Sequence, residues 1–534
     1  MLEKNILDKF FHPKSIAVIG ASENLLSYGS RYVQALIDFG YKGKIYAVNR
    51  NGEQVLGHKI YRSIADVPKP VDLVFITINA RFVVDVIKEC IAEGIKAAVI
   101  FTAGFREAGE EGLNIENEIV KVAEGRMRII GPNCFGTYCP GGGITLLNGN
   151  NFSKEPGGVA LTAQSGQLSE VVIPRKQGEG LRHSKFISYG NASDINEADL
   201  LEYLMNDRDT KIITSYLEGV KDGRRYFNIA RKNSGKKPII IWKVGLSQIG
   251  AAASSSHTGS LAGTSTAWDA FFRQTNAVKV TNLDELIDTT TSFSCMPDGC
   301  GPRVAYVSGG GAGTVIGADA CEAAGMEMPQ FSSKTEDKLR ELFPTIGTSL
   351  RNPIDIGNPH PPLDLLKSLL EIMSADKNVD VIVVRGILFS VKTSQLFSGT
   401  TAPSDEEQRG LLEIPVKVMK KYKKPITIIL PEYITSAEAV DIEEDRRKIR
   451  DYFFTNGIPV YLSEQRAFTA LAHLAKYGKA KRKTAKAVIA GKNKNEQAIS
   501  NGRKQFLRIR KKTENPILDE IQCKTILKSI GIKV

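Results

Sequence analysis

Four short stretches combine residue types that can hold an anion or pass one on. The first is Gly20-Ala21-Ser22, directly after the apolar run SIAVI. Behind a parallel strand, such a turn opens onto a helix N-terminus whose free amides hold phosphate. Gly20 permits the tight turn, and Ser22 offers a hydroxyl. The GxGxxG spacing of a dinucleotide fingerprint is absent, and the next strand ends in Asn49-Arg50 rather than in an acid. An acid at that place takes the ribose diol of NAD, whereas an amide and a cation suit a phosphorylated ribose. A phosphorylated nucleotide such as CoA or NADP fits the pattern better than NAD, with a plain tight turn as the competing reading.

Gln164-Ser165-Gly166 repeats the arrangement between a second strand and helix, with polar side chains added to the helix-terminal amides. The third stretch is SHTGSLAG, which places His257 among small polar residues that leave room for a bulky anion. Glu218 closes the run ITSYLEG at the carboxyl edge where sheet ligands collect. A carboxylate accepting one imidazole N–H fixes the tautomer and makes the other nitrogen more nucleophilic. The pair suits a histidine that takes up a phosphoryl group, or one that acts as a general acid and base. A lone histidine is more often structural, and sequence distance does not bring the two together. The fourth stretch, Gly309 to Gly313, is a glycine-rich loop without the GK[ST] ending of a Walker loop. A close-packed turn is as good a reading of it. Asn352-Pro353-Ile354-Asp355 reads as a turn, and IEEDRRKIRDYFFTNG as a solvated helix face.

These residues need a scaffold, and the hydrophobic pattern supplies one. Apolar runs of four to eight residues alternate with amphipathic helices throughout, as a doubly wound parallel sheet requires. The runs SIAVIG, KIYAVN, VDLVFITI, AAVIFTAG and RMRIIGPN form one such set, residues 1–145. GGVALTAQSG, SKFISYGN, TKIITSYLEG, PIIIWKVG and AVKVT form a second, 146–298. RVAYVSGG, VDVIVVRGI, PITIIL and IPVY form a third, 299–475. Three successive α/β domains are expected. NPILDEIQCKTILKSIGIKV reads as a helix and the start of a strand.

Composition narrows the function classes. The chain has 534 residues, 42% hydrophobic and 24% charged, with 48 Gly, which excludes a disordered chain, a collagen repeat or a coiled coil. No apolar run reaches membrane-spanning length, and the N-terminus lacks an apolar signal core, so a cytoplasmic location without a membrane is expected. The seven Cys are scattered without repeated CxxC spacing, so no metal site is expected. The net charge of +12 invites a nucleic-acid reading, yet Lys476–Lys512 alone carries fourteen Lys and Arg against one acid, Glu496. The rest of the chain is close to neutral. Residues 476–514 are therefore expected to be a solvated, flexible basic linker, not a nucleic-acid surface.

In order, FHPKSIAVIGAS, GYKGKIYAVN, PVDLVFITI, FTAGFREAGEEG, RIIGPNCFG, QSGQLS, ITSYLEG and SHTGSLAG resemble the NDP-forming acid–CoA ligases, relatives of succinyl-CoA synthetase and of ADP-forming acetyl-CoA synthetase. The resemblance covers about residues 8–470. It implies a Rossmann-like CoA-binding domain followed by two flavodoxin-like domains, with 515–534 as the start of an ATP-grasp domain. It makes His257 the phosphohistidine and Glu218 its orienting carboxylate, with Ser165 and Gly166 holding the phosphate. Gly20, Ala21 and Ser22 would line the CoA phosphates with Asn49 nearby, and Asn133 and Gln164 would sit near the acyl or phosphate site. The implied reaction converts a small carboxylic acid, ATP and CoA reversibly to acyl-CoA, ADP and phosphate. ATP or ADP and Mg2+ would belong mainly to an ATP-grasp domain, in the same chain or in a separate subunit, and the assembly would be oligomeric. Arg50 stands where the family usually has Pro. Fused members include 3-hydroxypropionate and 4-hydroxybutyrate CoA ligases of carbon-fixing archaea, so a hydroxy acid is the expected substrate and acetate the alternative. Rival readings are an NADP-dependent dehydrogenase, which leaves SHTGS idle, and a CoA-binding sensor or protein acetyltransferase scaffold, in which His257 is often lost.

Overall fold

The short Val- and Ile-rich runs become buried strands, and the computed structural model arranges them in three sheets. It describes residues 6–147, 149, 151–252, 263–343, 349–358, 361–386, 404–432, 440–491, 495–511 and 517–534. These fall into two units, Met1–Gly478 and Lys479–Val534.

The first sheet contains β1 (Ser15–Ile19), β2 (Lys44–Val48), β3 (Gln54–Val55), β4 (His58–Tyr61), β5 (Leu73–Ile76), β6 (Ala97–Ile100) and β7 (Arg128–Ile130). Its order is β3-β4-β2-β1-β5-β6-β7, parallel except for the β3–β4 pair. Apart from β3, this is the strand order of a Rossmann fold, with its switch point between β1 and β5. The second sheet contains β8 (Gly136–Tyr138), β9 (Val159–Ala163), β10 (His183–Ser188), β11 (Ile212–Leu217), β12 (Ile239–Lys243) and β13 (Val278–Val280). The third contains β14 (Val304–Ser308), β15 (Ile354–Asp355), β16 (Val381–Arg385), β17 (Ile426–Ile429) and β18 (Val460–Tyr461). The orders β13-β12-β11-β9-β10-β8 and β15-β14-β16-β17-β18 are both flavodoxin-like, the former with β8 added antiparallel at its edge.

Three expectations are corrected. Residues 136–138 fall within the stretch assigned to the first domain, but pair with β10 of the second sheet. Ile354–Asp355 is a short strand beside β14, not only a turn. Most of the stretch read as a flexible linker is helical, in Glu464–Gly491 and Asn495–Arg510. Its Ala, Lys, Arg and Gln are strong helix formers, a preference that a reading by charge alone overlooks. In the second unit the helix Asn495–Arg510 packs against Glu520–Ser529, and no strand follows among the described residues.

The first two sheets share a core that includes Phe10, Phe11, Ile187, Tyr189, Ile195 and Leu200. Backbone pairing locks them together. The amides of Asn191, Ser193 and Ile195 donate to the carbonyls of Pro132, Gly131 and Ile129 at 3.0, 3.0 and 3.1 Å. Asp194 takes the Ile129 amide at 2.7 Å and the Arg128 guanidinium at 2.9 Å. The second and third sheets share Ile240, Leu286, Tyr306 and Phe468, and Arg466 makes a bidentate pair with buried Asp288 at 2.6 and 2.7 Å.

One core feature works against stability. Lys176 is fully buried, with Nζ 3.2 Å from Thr214 Oγ1, close to buried His183, whose ring nitrogens have no partner among the described residues. Burial pushes the Lys176 amine down to about 7 from its ordinary 10.5. An unfolded chain therefore binds a proton there that the folded chain releases, so this residue makes stability rise from about pH 7 to 10.5. Lys176→Met, which keeps the volume, is expected to raise the melting temperature at pH 7 and to remove that rise. Thermal unfolding followed by circular dichroism across this range checks it.

Candidate active site

The residues that follow β1 form a tight turn ahead of the next helix. Gly20 takes φ +105°, and Ser27 caps the helix Tyr28–Phe39. Ser30 Oγ accepts the Ser22 amide at 2.9 Å and donates to the Ser22 carbonyl at 2.6 Å, while Ser22 Oγ lies 3.3 Å from Ser27 Oγ. The Ser22 amide is thus already used, contrary to a loop that offers all its amides to phosphate. A Cβ on Gly29 would stand 2.5 Å from the Ala21 nitrogen and 2.6 Å from the Gly20 carbonyl carbon, so only glycine lets the helix sit under this loop. At the end of β2, the Asn49 side chain accepts the Asn51 amide at 3.1 Å, and the Arg50 guanidinium lies 5.8 Å over the Phe82 ring.

The carboxyl ends of the first two sheets face a common cleft of about 760 Å³. Thr77, Asn79, Asn133, Gln164, Ser165 and Gly166 line it, so three of the sequence-selected positions in the second sheet and Asn133 come together. Gly20 borders the cleft through Thr77, whose hydroxyl donates to the Ile19 carbonyl at 3.0 Å. No Lys or Arg lines it among the described residues. The helix Leu168–Gly178 begins at this wall, and its N-cap Gln167 makes no side-chain cap bond. A helix N-terminus presents partial positive charge to an anion without placing a mobile cation there.

Behind the wall, Gln164 Oε1 accepts the amides of Glu218 and Gly219 at 2.5 and 3.0 Å. Glu218 is buried just past β11, and the Tyr216 hydroxyl hydrogen-bonds to it, with burial and this carboxylate pushing the phenol up to about 12. His257 lies outside the described residues, as does most of SHTGSLAG. The described chain resumes at Gly263, and Thr264 caps the helix Ser265–Thr275. The glycine loop at 309–313 leads into the helix Gly311–Ala323 of the third sheet and is not part of this cleft.

Several residues of the site escape sequence reading. Lys243, at the end of β12, donates to the Glu218 carbonyl at 2.7 Å; burial lowers it to about 8, partly offset by Glu218. Its signal was legible, because a cation that closes a wholly apolar strand needs a partner. Buried Glu197 accepts from Gln164 Nε2 at 3.2 Å, and burial raises its carboxyl above the ordinary range. Asn191 Nδ2 donates to Glu107 and Glu116 at 2.7 and 3.0 Å, which ties FREAGEEG to the cleft wall. Nothing in the spacing of Glu197 or Asn191 marks them in advance.

A Rossmann-like sheet and a flavodoxin-like sheet meet at one amide-lined cleft whose described lining holds no Lys or Arg and one acid, Glu170. A Rossmann-like sheet of this order is the fold of proteins that bind a phosphorylated nucleotide. Comparison with known proteins makes this specific. Residues 14–140 match the CoA binding domain model, and 156–293 match the succinyl-CoA ligase like flavodoxin domain model. The alpha subunit of acetate–CoA ligase (ADP-forming) II of Pyrococcus furiosus is 35% identical over 85% of this chain and 94% of its own length. The single-chain acetate–CoA ligase (ADP-forming) II of Archaeoglobus fulgidus is 34% identical over 89% of this chain and 67% of its own length. A 4-hydroxybutyrate–CoA ligase (ADP-forming) of Nitrosopumilus maritimus is 32% identical over 87% of this chain and 63% of its own. Among solved structures, the dinucleotide-forming acetyl-coenzyme A synthetase 1 of Ca. Korarchaeum cryptofilum, with phosphate and ADP, aligns with a TM-score of 0.75 at 29% identity, over 90% of this chain and 98% of that one. The chain belongs to the ADP-forming acid–CoA ligases, a family of acid–thiol ligases. No described helix is long and apolar enough to cross a membrane.

Gly29→Ala is expected to push the 20–22 loop off the helix and weaken CoA binding by about tenfold, the equivalent of about 1.4 kcal/mol of overpacking. Titration calorimetry with CoA checks it, and unchanged affinity would show that CoA does not use this loop.

Proposed function

We propose that this chain carries out the acyl and phosphoryl steps of an ADP-forming acid–CoA ligase through a phosphohistidine at His257. The observation that carries the reading is the convergence of Asn133, Ser165 and Gly166 on one cleft, with buried Glu218 tied to its wall through Gln164. CoA lies along Gly20, Ala21 and Ser22 with Asn49 at the rim, and its sulfur reaches the acyl carbon in the cleft. From the acyl-CoA side, orthophosphate attacks the thioester carbonyl, the C–S bond breaks, and CoA leaves as the thiol. The acyl phosphate formed then gives its phosphoryl group to a His257 nitrogen, and the carboxylate leaves. Glu218 accepts the other imidazole N–H and so holds the attacking nitrogen unprotonated. The amides at Ser165 and Gly166 stabilise the charge that passes between the two.

The phosphohistidine then meets ADP on an ATP-grasp domain, in the same chain or in a separate subunit, within an oligomeric assembly. The family's separate alpha subunits and longer single chains support both arrangements. Mg2+ belongs with the nucleotide. Among the described residues no three His, Cys, Asp or Glu side chains converge to hold a metal ion. The acid is a small carboxylate. Acetate has the more direct support from the relatives, and 4-hydroxybutyrate is the second reading, favoured by the relative that acts on it.

Acetyl-CoA with ³²P-orthophosphate tests this on the chain itself. Acid-labile label is expected on the wild-type protein and not on His257→Ala. 4-Hydroxybutyryl-CoA run in parallel identifies the acid by relative rate. A folded, CoA-binding wild-type chain that takes no label would overturn the proposal.

A further inference from the structure

Strand β11 sits between β9 and β12, and its ladder ends at Leu217, paired with Lys243 on one side, and at Tyr216, paired with Ala163 on the other. Glu218 is the next residue. Both of its peptide groups take side-chain partners. Gln164, one residue past β9, accepts the N–H groups of Glu218 and Gly219, while Lys243, the last residue of β12, donates to the Glu218 carbonyl. Two side chains from the flanking strands thus continue the sheet by one residue. All three residues are about 5% exposed.

The clamp has its own support. With Gln164 Oε1 on two N–H donors, its amide nitrogen faces Glu197, and the reverse orientation would set oxygen against carboxylate and nitrogen against two amides. Glu197 in turn takes the Lys221 amide at 3.3 Å. Lys243 also donates to the Val244 carbonyl, and its ammonium lies 5.4 Å over the Trp268 ring. Buried polar groups arranged so completely around one peptide fix the direction in which the following side chain leaves the sheet.

We infer that Gln164, Glu197 and Lys243 are positioning residues that aim the Glu218 carboxylate, and that Gln164 serves the reaction through Glu218 rather than through the acid or phosphate. This rests on the reading of Glu218 as the partner of His257.

The test exchanges donor and acceptor along the chain of bonds. In Gln164→Glu, the new carboxylate still accepts both amides but faces Glu197 with like charge. In Gln164→Glu/Glu197→Gln, the bond is restored with its polarity reversed and the net charge unchanged. Initial rates of His257 labelling from acetyl-CoA and ³²P-orthophosphate, CoA affinity by calorimetry and melting temperature are measured on the full chain. Gln164→Glu is expected to lose about 10- to 100-fold in labelling rate with CoA affinity unchanged. The double variant is expected to return to within about threefold of wild type. Lys243→Met approaches the same peptide from the other side and is expected to lose about tenfold. Wild-type rates in Gln164→Glu or in folded Lys243→Met overturn the inference, as does a folded double variant no faster than Gln164→Glu. Failure of the wild-type protein to label overturns instead the functional reading beneath it.

Discussion

The site depends on one seam. The chain from Gly190 to Ile195 runs beside the end of β7, and its amides pair with the carbonyls at 129, 131 and 132. Without those bonds the Rossmann-like and flavodoxin-like sheets would be two adjacent layers with independent carboxyl edges. With them, the edge after β5, β6 and β7 is held opposite the edge after β9 and β10, and a ligand on one faces a ligand on the other. Asp194, with the Arg128 guanidinium and the Ile129 amide, locks the register of the seam. Glu107 and Glu116 support it from below by holding Asn191. An acyl transfer between a nucleotide thiol and a phosphate needs this kind of fixed approach, because most of its catalytic gain comes from orientation.

The electrostatics follow the same economy. The cleft wall offers amides, hydroxyls, side-chain amides and one carboxylate, Glu170, but no Lys or Arg among the described residues. Cations stand one layer back, where Lys221 and Lys243 are each lowered to about 8, mainly by burial. A wall of preorganised dipoles without Lys or Arg sets up no ion pair that a departing phosphoryl group would have to break, and the acid Glu170 stands in the same lining. Burial of Glu218 and Gln164 keeps water from competing for the bonds that set their geometry.

Much of this was legible in the sequence, for physical reasons. Strands buried on both faces must be continuous apolar runs, so each parallel sheet is visible as such. Tight turns that follow them need Gly and small polar residues, so Gly20-Ala21-Ser22 and Gln164-Ser165-Gly166 stood out. The resemblance rested on these same segments. What stayed hidden depends on contacts far apart in sequence. β8 joins the second sheet through pairing of Gly136 with Ser188, 52 residues away. Glu197 sits in an ordinary amphipathic helix, and only the folded chain places it against Gln164, 33 residues away. The basic stretch after Lys476 was misread because charge speaks to solvation, while helix formation there follows from backbone preference. Asn49 and Ser22 are not among the residues that line the cleft, and their polar groups are partly occupied within the protein.

The central claim is that CoA and phosphate meet in the cleft between the first two sheets. A crystal structure of the full chain with CoA and orthophosphate tests it most directly. The account predicts the CoA phosphates along the Gly20–Ser22 loop, its sulfur in the cleft beside Asn133, and phosphate at the amides of Ser165 and Gly166. CoA and phosphate bound elsewhere, with this cleft holding neither, would contradict it.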